Sequence, residues 1–315
     1  MKRRSELTRV STSSSLATVR AASLTPSLPS RLSCTSHFIS LVPLVSAKAW
    51  SVVEPKKGDL LWGKNAKSEL KIASLTKIMT CYVALNVLQR LRVTPHEFII
   101  TVSKRAAAMC GTSARLRAGD SLSVVDLLHG LMLPSGNDAA VALAESLGLA
   151  IFRLDFREKH HKTKVPAFRG DPLAVFVREM NKTARSFNLK YTYFTNPHGL
   201  SDPAPSSTAE EVGRMAARVL RDPLLKQIVS RADYKCLAQT EEGESREYVW
   251  SNTNILLRGG DLAWEVPGGF DGIKTGITSV AGPCLTVRHK DTGLVVTVLG
   301  CRTGGVRFVD AVRVT

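Results

Sequence analysis

Residues 71–91 read KIASLTKIMTCYVALNVLQRL and include the most apolar helix that the sequence predicts. Apolar residues recur at positions 75, 78, 79, 82, 83, 85 and 88, a helical spacing wider than one stripe, so the helix is expected to be largely buried. A hydroxyl, Ser74, and an amine, Lys77, stand three residues apart in its first turn and face the same side. Burying a lysine is costly unless the amine is neutral, so its place beside a serine needs a reason.

A Ser–Lys pair has a chemical interpretation and a structural one. Serine becomes a nucleophile when a base takes its proton, and lysine can be that base only while it is neutral. Burial and a second nearby cation both lower the pKa of a lysine. The structural alternative is a helix-capping serine with a lysine that reaches solvent. Because Ser68 and Lys71 repeat the spacing in a polar stretch, the pattern alone leaves both open.

Strand-like segments lie on both sides of a helical middle. Strands are predicted as a hairpin over 49–65 and as short β-branched runs at 272–278, 283–289 and 294–301, the last two joined by a turn at 290–293. Helices are predicted at 74–92, 123–133, 135–148, where a glycine ends the run, 171–187 and 207–222, the last with a capping box that starts at Ser207. We therefore expect a mixed α/β fold, with one antiparallel sheet built from both chain ends, flanking helices and an inserted all-helical lobe.

Two further short patterns carry chemistry downstream. Ser135 and Asn137 lie at a loop-to-helix junction, where a hydroxyl can shuttle a proton and an amide can hold a carbonyl. Lys274, Thr275 and Gly276 lie on a predicted strand, where a cation and a hydroxyl suit a carboxylate and a glycine lets another chain lie close.

Each of these two patterns also has a structural alternative. Ser135 can be a helix cap, and Lys274 can be an exposed strand residue before a turn. Similar patterns recur at Ser186–Asn188 and at Arg302–Gly304. It is the order of all three patterns that favours a shared site, because Ser-x-x-Lys, Ser-x-Asn and Lys-Thr-Gly follow one another as in penicillin-binding proteins and class A β-lactamases, whose middle motif has Asp.

The chain resembles the D-alanyl-D-alanine carboxypeptidase family, the low-molecular-weight penicillin-binding proteins of peptidase family S11. The segments that carry the resemblance are ASLTKIMT, PSGNDAAVALAE, FTNPHGLSD, STAEEVGRMA and GFDGIKTGITSVAGPCL, and it extends over roughly residues 47–309. It implies a β-lactamase/transpeptidase-like fold and a serine-type carboxypeptidase that hydrolyses a C-terminal D-Ala-D-Ala bond through an acyl-enzyme, without a metal or cofactor.

The resemblance also implies a role for each motif residue. Ser74 would be the nucleophile, with Lys77 as its base and Ser135, helped by Lys274, as a proton relay. Backbone N–H groups of Ser74 and Ile277 would form the oxyanion hole.

The substrate-binding residues follow from the same resemblance. Asn137 would bind the side-chain amide of a peptide substrate that ends in D-Ala-D-Ala. Lys274 and Thr275 would bind its carboxylate beside Gly276. Penicillins and other β-lactams would be covalent inhibitors.

Three features depart from the family pattern. A basic insert at 150–170 lengthens the helical lobe (about 94–222) and is expected to form a surface loop. The catalytic domain would occupy 47–315, without the family's C-terminal β-domain and membrane-anchoring helix. Residues 1–46 resemble a transit peptide, and a signal peptide with an apolar region at 38–49 or a plain disordered leader are the alternatives, so an organelle and secretion both stay open as destinations.

The composition disfavours several other classes. The net charge is +16 over 315 residues, and residues 1–46 and 150–170 contribute +5 and +4 of it. Without aromatic–basic interleaving or a known module, no nucleic-acid partner is predicted. The sequence has no run of about 18 apolar residues, so no transmembrane anchor is predicted. The six cysteines lack zinc-ligand spacing, so no metal site is predicted.

Two alternative functions stay open from the sequence. A β-lactamase of class A needs a deacylating glutamate in an E-x-x-L-N segment, but Glu179 stands only two residues before Asn181. A long-lived acyl-enzyme with β-lactams is therefore expected. The other alternative is a peptide-binding descendant that kept the fold without catalysis, against which stands the presence of both motif serines and both motif lysines.

Overall fold

Strands, helices and strands follow one another along the chain, as the sequence predicts. The computed structural model describes residues 43–161, 164–200, 205–258 and 269–315. Its strands are Ala49–Val53 (β1), Leu60–Lys64 (β2), Leu70–Lys71 (β3), Ile99–Thr101 (β4), Ser121–Ser123 (β5), Ser206–Ser207 (β6), Asp233–Gln239 (β7), Ser245–Ser251 (β8), Phe270–Gly276 (β9), Cys284–His289 (β10) and Val295–Leu299 (β11). Its α-helices are Thr76–Leu91 (α1), Lys104–Ala107 (α2), Val124–Met132 (α3), Asn137–His160 (α4), Pro172–Ser186 (α5), Ala209–Val219 (α6), Pro223–Ser230 (α7) and Val306–Val314 (α8), with short 3₁₀ helices at Ala73–Leu75 and Ile255–Leu257.

The main sheet joins strands from both ends of the chain. Its order is β2-β1-β11-β10-β9, with every pair antiparallel. β1 and β11 are buried along their whole length, since α6 contacts both strands and α8 contacts β11. Val53 belongs to the large core around α1 and α6, whereas Val52 packs in the cluster that contains Phe308 of α8. The predicted mixed α/β class and the sheet built from both chain ends are confirmed.

The lobe between the two halves of the sheet is not made of helices alone. A second antiparallel sheet has the order β4-β5-β7-β8, and two of its strands lie within the predicted lobe. The β7–β8 hairpin was not predicted from the sequence. Its strands bury only one face, which includes Ala238, Tyr248 and Trp250, and the polar residues between them hide the pattern.

Helix α4 is much longer than predicted. The sequence placed its end at Gly148, but the helix continues to His160. A Cβ atom on Gly148 would lie 2.0 Å from the carbonyl oxygen of Pro172, the first residue of α5. This glycine therefore lets two helices approach closely and does not terminate one.

The basic insert at 150–170 is consequently not a simple surface loop. Its first half forms the last three turns of α4, which pack back onto α1 through Arg90. The guanidinium of Arg90 lies 2.8 Å from Asp155 Oδ1 and 3.3 Å from Glu158 Oε1. Both acidic residues of the insert thus pair with one arginine, while Arg153 and Arg157 are exposed.

Side-chain caps start several of the helices, and one of these caps corrects the sequence-based prediction. Ser123 accepts from the N–H of Asp126, and Asp171 accepts from that of Leu173, with Pro172 as the first helical residue. The cap of α6 is Thr208 and not the predicted Ser207.

Part of what the sequence predicts lies outside the described residues. This applies to most of the 1–46 leader, to two residues of the basic insert and to the end of the FTNPHGLSD segment. From Ser46 onward the chain is bonded to the fold, because the Ser46 hydroxyl donates to Asp310 at 2.6 Å. None of the described helices is long and apolar enough to cross a membrane.

Replacing Gly148 by alanine should lower stability even though alanine is the better helix former. The new methyl group must displace the Pro172 carbonyl, and overpacking of this kind costs roughly 1–3 kcal/mol or more, against a propensity gain of about 1 kcal/mol. Urea unfolding measures the difference. Gly305→Ala is the matched control, because nothing lies within 4 Å of its Cβ position and its backbone is already helical. An unchanged or higher stability for Gly148→Ala would contradict the close approach.

Candidate active site

Ser74 does not cap a helix. It lies in the 3₁₀ turn Ala73–Leu75 that leads into α1, and neither that turn nor α1 has a side-chain cap. Ala73 adopts a left-handed backbone with φ of 48°, which is unusual for a residue with a side chain. The hydroxyl of Ser74 lies 2.9 Å from Lys77 Nζ. The capping alternative raised by the sequence is therefore wrong.

Lys77 is fully buried, and its amine has three oxygen neighbours. Nζ lies 2.9 Å from Ser74 Oγ, 2.7 Å from Asn137 Oδ1 and 2.8 Å from the carbonyl oxygen of His198. Burial holds the pKa of Lys77 well below its ordinary value, and the charge of Lys274 lowers it further, while Asp138 acts in the opposite direction. The geometry and the pKa both favour a neutral amine.

The three short distances at Nζ favour one hydrogen-bond arrangement for a neutral amine. Such an amine has two hydrogens, and two of its neighbours, Asn137 Oδ1 and the His198 carbonyl, can only accept. The amine donates to both, so its lone pair is left for Ser74. The hydroxyl of Ser74 then donates to Lys77 at 2.9 Å in preference to the His198 carbonyl at 3.4 Å, which is the orientation that a base needs in order to take its proton.

The orientation of the Asn137 amide is fixed from its other end. Nδ2 donates to the carbonyl oxygen of Cys110 at 2.7 Å, so Oδ1 faces Lys77. The Asn137 N–H donates to Thr112 O at 2.8 Å, which ties the start of α4 to the same loop. The structure thus gives Asn137 contacts within the protein, and its predicted contact with substrate stays a prediction.

Ser135 is held in a strained conformation in the loop before α4. Its φ is 65°, and the Thr112 hydroxyl donates to its carbonyl at 2.6 Å. Its own hydroxyl is buried, and among the described residues it has no hydrogen-bond partner. A buried hydroxyl without a partner is costly, and a ligand could supply the missing bond.

The end of β9 lies directly against the Ser74 turn. A Cβ atom on Gly276 would lie 3.2 Å from the Ser74 nitrogen, so only a glycine fits there without a shift. Ile273 is an extra residue relative to β10, which pairs Gly272 with Val287 and Lys274 with Thr286. Such a bulge redirects the side chains that follow it.

Lys274 is a second buried lysine with a lowered pKa. Burial, assisted by the charge of Arg307, lowers its pKa to about 7, and Nζ donates to the Thr275 carbonyl at 3.0 Å. Arg307 lies on α8 and donates to the Gly276 carbonyl at 3.1 Å. In the described part of the chain, no carboxylate pairs with Lys274 or with Arg307. The cleft can therefore accept an anion.

The motif residues come together, while their sequence duplicates do not. Ser68 is exposed, and Ser186 is bonded to its own helix at the carbonyl of Thr183. The N–H of Arg302 donates to Ser46, which places it beside the first strand.

Sequence reasoning missed three parts of the site. These are Arg307 and the backbone carbonyls of Cys110 and His198. The imidazole of His198 is buried, which lowers its pKa to about 4. Only its carbonyl contacts Lys77.

Comparison with known proteins identifies the family. The family model for D-alanyl-D-alanine carboxypeptidases, peptidase family S11, matches residues 37–149 and 171–303. The chain belongs to this family. The carboxypeptidase model leaves 150–170 unmatched, so this segment is an insertion relative to the family, as the sequence predicts.

Individual members of the carboxypeptidase family agree with this assignment. The chain is 31% identical to DacF of Bacillus subtilis over 245 residues, which cover 78% of this chain and 54% of DacF. It is 29% identical to DacC of Escherichia coli, with 85% of this chain and 60% of DacC covered. The chain thus spans about half to three-fifths of the length of these curated relatives.

A solved structure shows the same fold. The Streptomyces K15 DD-transpeptidase superposes with a TM-score of 0.72 at 28% identity, covering 86% of this chain and 96% of that protein. The predicted transpeptidase-like fold is thereby confirmed.

Replacing the buried Lys274 by methionine should stabilise the protein in a pH-dependent way. The pKa of Lys274 is about 7 when folded, against an ordinary 10.5, so the folded state disfavours the cation. Its cost is fully present below pH 7 and is lost as the pH rises to 10.5. We expect Lys274→Met to raise the free energy of unfolding by roughly 2–4 kcal/mol at pH 6 and by almost nothing near pH 10.5. Urea unfolding across this range measures it.

The matched control is Lys226→Met, because Lys226 is exposed on α7 and its replacement should have little effect at any pH. A gain for Lys274→Met that does not change with pH would contradict a pKa-based cause.

Proposed function

We propose that the protein is a serine-type D-Ala-D-Ala carboxypeptidase that works through an acyl-enzyme on Ser74. The observation that carries the proposal is the buried Lys77 amine, whose short contacts favour a lone pair that faces the Ser74 hydroxyl. Few structural roles would need this arrangement, because burying a lysine is costly. Membership of the carboxypeptidase family supports the same reaction.

In the first step, Lys77 takes the Ser74 proton as Oγ attacks the carbonyl carbon of the scissile peptide bond. The charge that develops on the carbonyl oxygen would be held by the N–H groups of Ser74 and Ile277. The close approach of Gly276 to the Ser74 nitrogen supports this, because Ile277 follows Gly276 directly in the chain and its N–H would lie near that of Ser74.

In the second step, the leaving D-alanine needs a proton on its nitrogen. Ser135 is the proposed relay, because its hydroxyl is buried, close to Asn137 and without a partner among the described residues. Lys77, protonated in the first step, is the source of the proton, and Lys274 would assist the transfer. Asn137, which accepts a hydrogen bond from Lys77, is proposed to bind the substrate amide too.

The C-terminal carboxylate of the substrate would bind Lys274, Thr275 and Arg307 beside Gly276. The two cations have no carboxylate partner in the described chain, and an anion would offset the repulsion between them. Binding would raise the pKa of Lys274, which then stays protonated. This recognition favours substrates with a free C-terminus.

Water would complete the cycle by hydrolysing the acyl-enzyme. No described carboxylate contacts Ser74, and Glu179, the residue that resembles a deacylating glutamate, pairs with Lys182 at 3.4 Å. β-Lactams, as proposed covalent inhibitors, should therefore leave the enzyme slowly, which disfavours a β-lactamase.

DD-transpeptidation is a second candidate function. The observation in its favour is that the chain covers nearly the whole K15 DD-transpeptidase. Transpeptidation differs in its last step only, where an amine replaces water as the acceptor.

A fluorescent penicillin should label the wild-type protein covalently, and mass spectrometry should place the label on Ser74. Ser74→Ala should lose both this label and the release of D-alanine from a peptide ending in D-Ala-D-Ala. Ser68→Ala should keep both, since Ser68 has the same spacing to a lysine but lies outside the site. Folded protein that takes up no label would contradict the proposal, and rapid loss of the label would favour a β-lactamase.

The release of D-alanine should depend on pH through two lysines. As pH falls, Lys77 gains a proton and can no longer act as the base, so kcat/KM declines on the acid side. As pH rises above about 7, free Lys274 loses its charge, so binding of the carboxylate weakens and kcat/KM declines again. Lys274→Arg keeps the charge and should shift the alkaline decline to higher pH. An unchanged alkaline decline in this variant would argue against Lys274 as its cause.

A further inference from the structure

Thr253 connects two parts of the site that come from distant segments. It lies between β8 and the 3₁₀ helix Ile255–Leu257, and its N–H donates to Leu133 O at 3.1 Å. Its hydroxyl lies 2.6 Å from Thr275 Oγ1 and 3.3 Å from Leu133 O. Because Leu133 is two residues before Ser135, Thr253 links the threonine of β9 to the segment that holds Ser135.

The backbone on both sides of Thr253 is firmly fixed. Asn252 is buried, its N–H donates to Ala232 O at 2.6 Å, and its side chain donates to Arg231 O at 3.0 Å. The Asn252 side chain also accepts from the N–H of Asn254 at 2.9 Å. Two buried asparagines thus hold an exposed threonine beside Thr275.

The hydroxyls of Thr253 and Thr275 can arrange their two protons in two ways. In the first, Thr275 donates to Thr253, which donates to Leu133 O. In the second, Thr253 donates to Thr275, and the proton of Thr275 is left for a ligand. Leu133 O still accepts the Thr253 N–H in the second arrangement, so no carbonyl loses its only donor.

We propose that Thr253 is a positioning residue that turns the Thr275 hydroxyl into a donor for the substrate's C-terminal carboxylate. When the anion binds, the direction of the hydrogen bonds reverses. The Thr253 hydroxyl then donates to Thr275 Oγ1, and the Thr275 hydroxyl donates to the carboxylate. Hydrogen bonds in such a chain strengthen one another. The inference rests on the proposed function for its ligand, a peptide with a free C-terminal carboxylate.

Variants of Thr253 separate the hydroxyl from the shape of the side chain. Thr253→Val keeps the shape and removes the hydroxyl, whereas Thr253→Ser keeps the hydroxyl. Thr101→Val is the matched control, since the exposed Thr101 has a similar hydroxyl pair, at 2.8 Å with Ser121, on β4.

The test is binding to Ser74→Ala protein, which lacks the proposed nucleophile and should not consume the ligand. The probes are an N-acetylated peptide ending in D-Ala-D-Ala and the same peptide with a C-terminal amide, titrated by NMR. Adding Thr253→Val should raise Kd for the free acid roughly three- to tenfold, the effect of one hydrogen bond, and change that for the amide less than twofold. Thr253→Ser and Thr101→Val should leave both Kd values within about twofold.

Three results would overturn the proposal. The first is that Thr253→Val weakens binding of the acid and of the amide equally. The second is that Thr253→Val weakens neither, because water replaces the hydroxyl. The third is that the Ser74→Ala protein binds the acid no more tightly than the amide. Thermal unfolding of each variant shows that it is folded.

Kinetics in the otherwise wild-type protein supply a second readout. Thr253→Val should raise KM for the free-acid peptide and leave kcat nearly unchanged, because the carboxylate binds the enzyme but takes no part in the making or breaking of bonds. A fall in kcat at constant KM would count against a role in carboxylate binding.

Failure of this inference differs from failure of the proposed function. If penicillin labels Ser74 but Thr253→Val does not affect carboxylate binding, the proposed function is supported and the proposed role of Thr253 is contradicted. If penicillin does not label Ser74 but Thr253→Val weakens binding of the free acid, the carboxylate site is supported and the acyl-enzyme proposal is contradicted.

Discussion

The burial of one amine constrains the whole site. Among the described residues no carboxylate forms an ion pair with Lys77, and its three oxygen partners come from a serine, an amide and a backbone carbonyl. An ammonium at this position would carry an unpaired charge in the core, which costs several kcal/mol. The fold therefore favours the neutral form, and with it a lone pair on Lys77 that faces Ser74.

Holding this amine requires residues from widely separated parts of the chain. Asn137 comes from the start of α4 and the His198 carbonyl from the loop after α5. Lys274, whose charge lowers the pKa of Lys77, comes from β9 at the edge of the main sheet. The site is thus a junction between the sheet and the lobe, and neither part builds it alone.

How much the sequence predicts depends on whether the deciding contact has a local signature. Ser74, Lys77, Ser135, Asn137, Lys274 and Thr275 could be named because their chemistry lies in side chains at short, regular spacings. The carbonyls of Cys110 and His198 could not, because every residue has a carbonyl. Arg307 was missed because it lies 33 residues after Lys274 on a helix with no motif, and only the packing of α8 on the sheet brings it close.

The errors in the predicted fold also arise where the deciding contact has no local signature in the sequence. Gly148 looks like a helix end, and only the tertiary contact with Pro172 explains why the helix continues. The β7–β8 hairpin buries one face, and its outer face carries charged residues such as Lys235 and Glu247, so its apolar signal is weak. Strand pairing and helix starts were predicted better, because hydrophobic runs and caps are local.

The pairing of β1 with β11 has a consequence for the order in which the molecule can mature. The strands are neighbours in the sheet, yet 241 residues separate the end of β1 from the start of β11. During synthesis, the Ser74 turn leaves the ribosome long before β9, β11 and α8 exist. The nascent chain therefore has its serine and lysine but lacks the later elements that shield these two residues from water. Because burial is what lowers the pKa of Lys77, the Ser74–Lys77 pair becomes complete only when the last strand is in place.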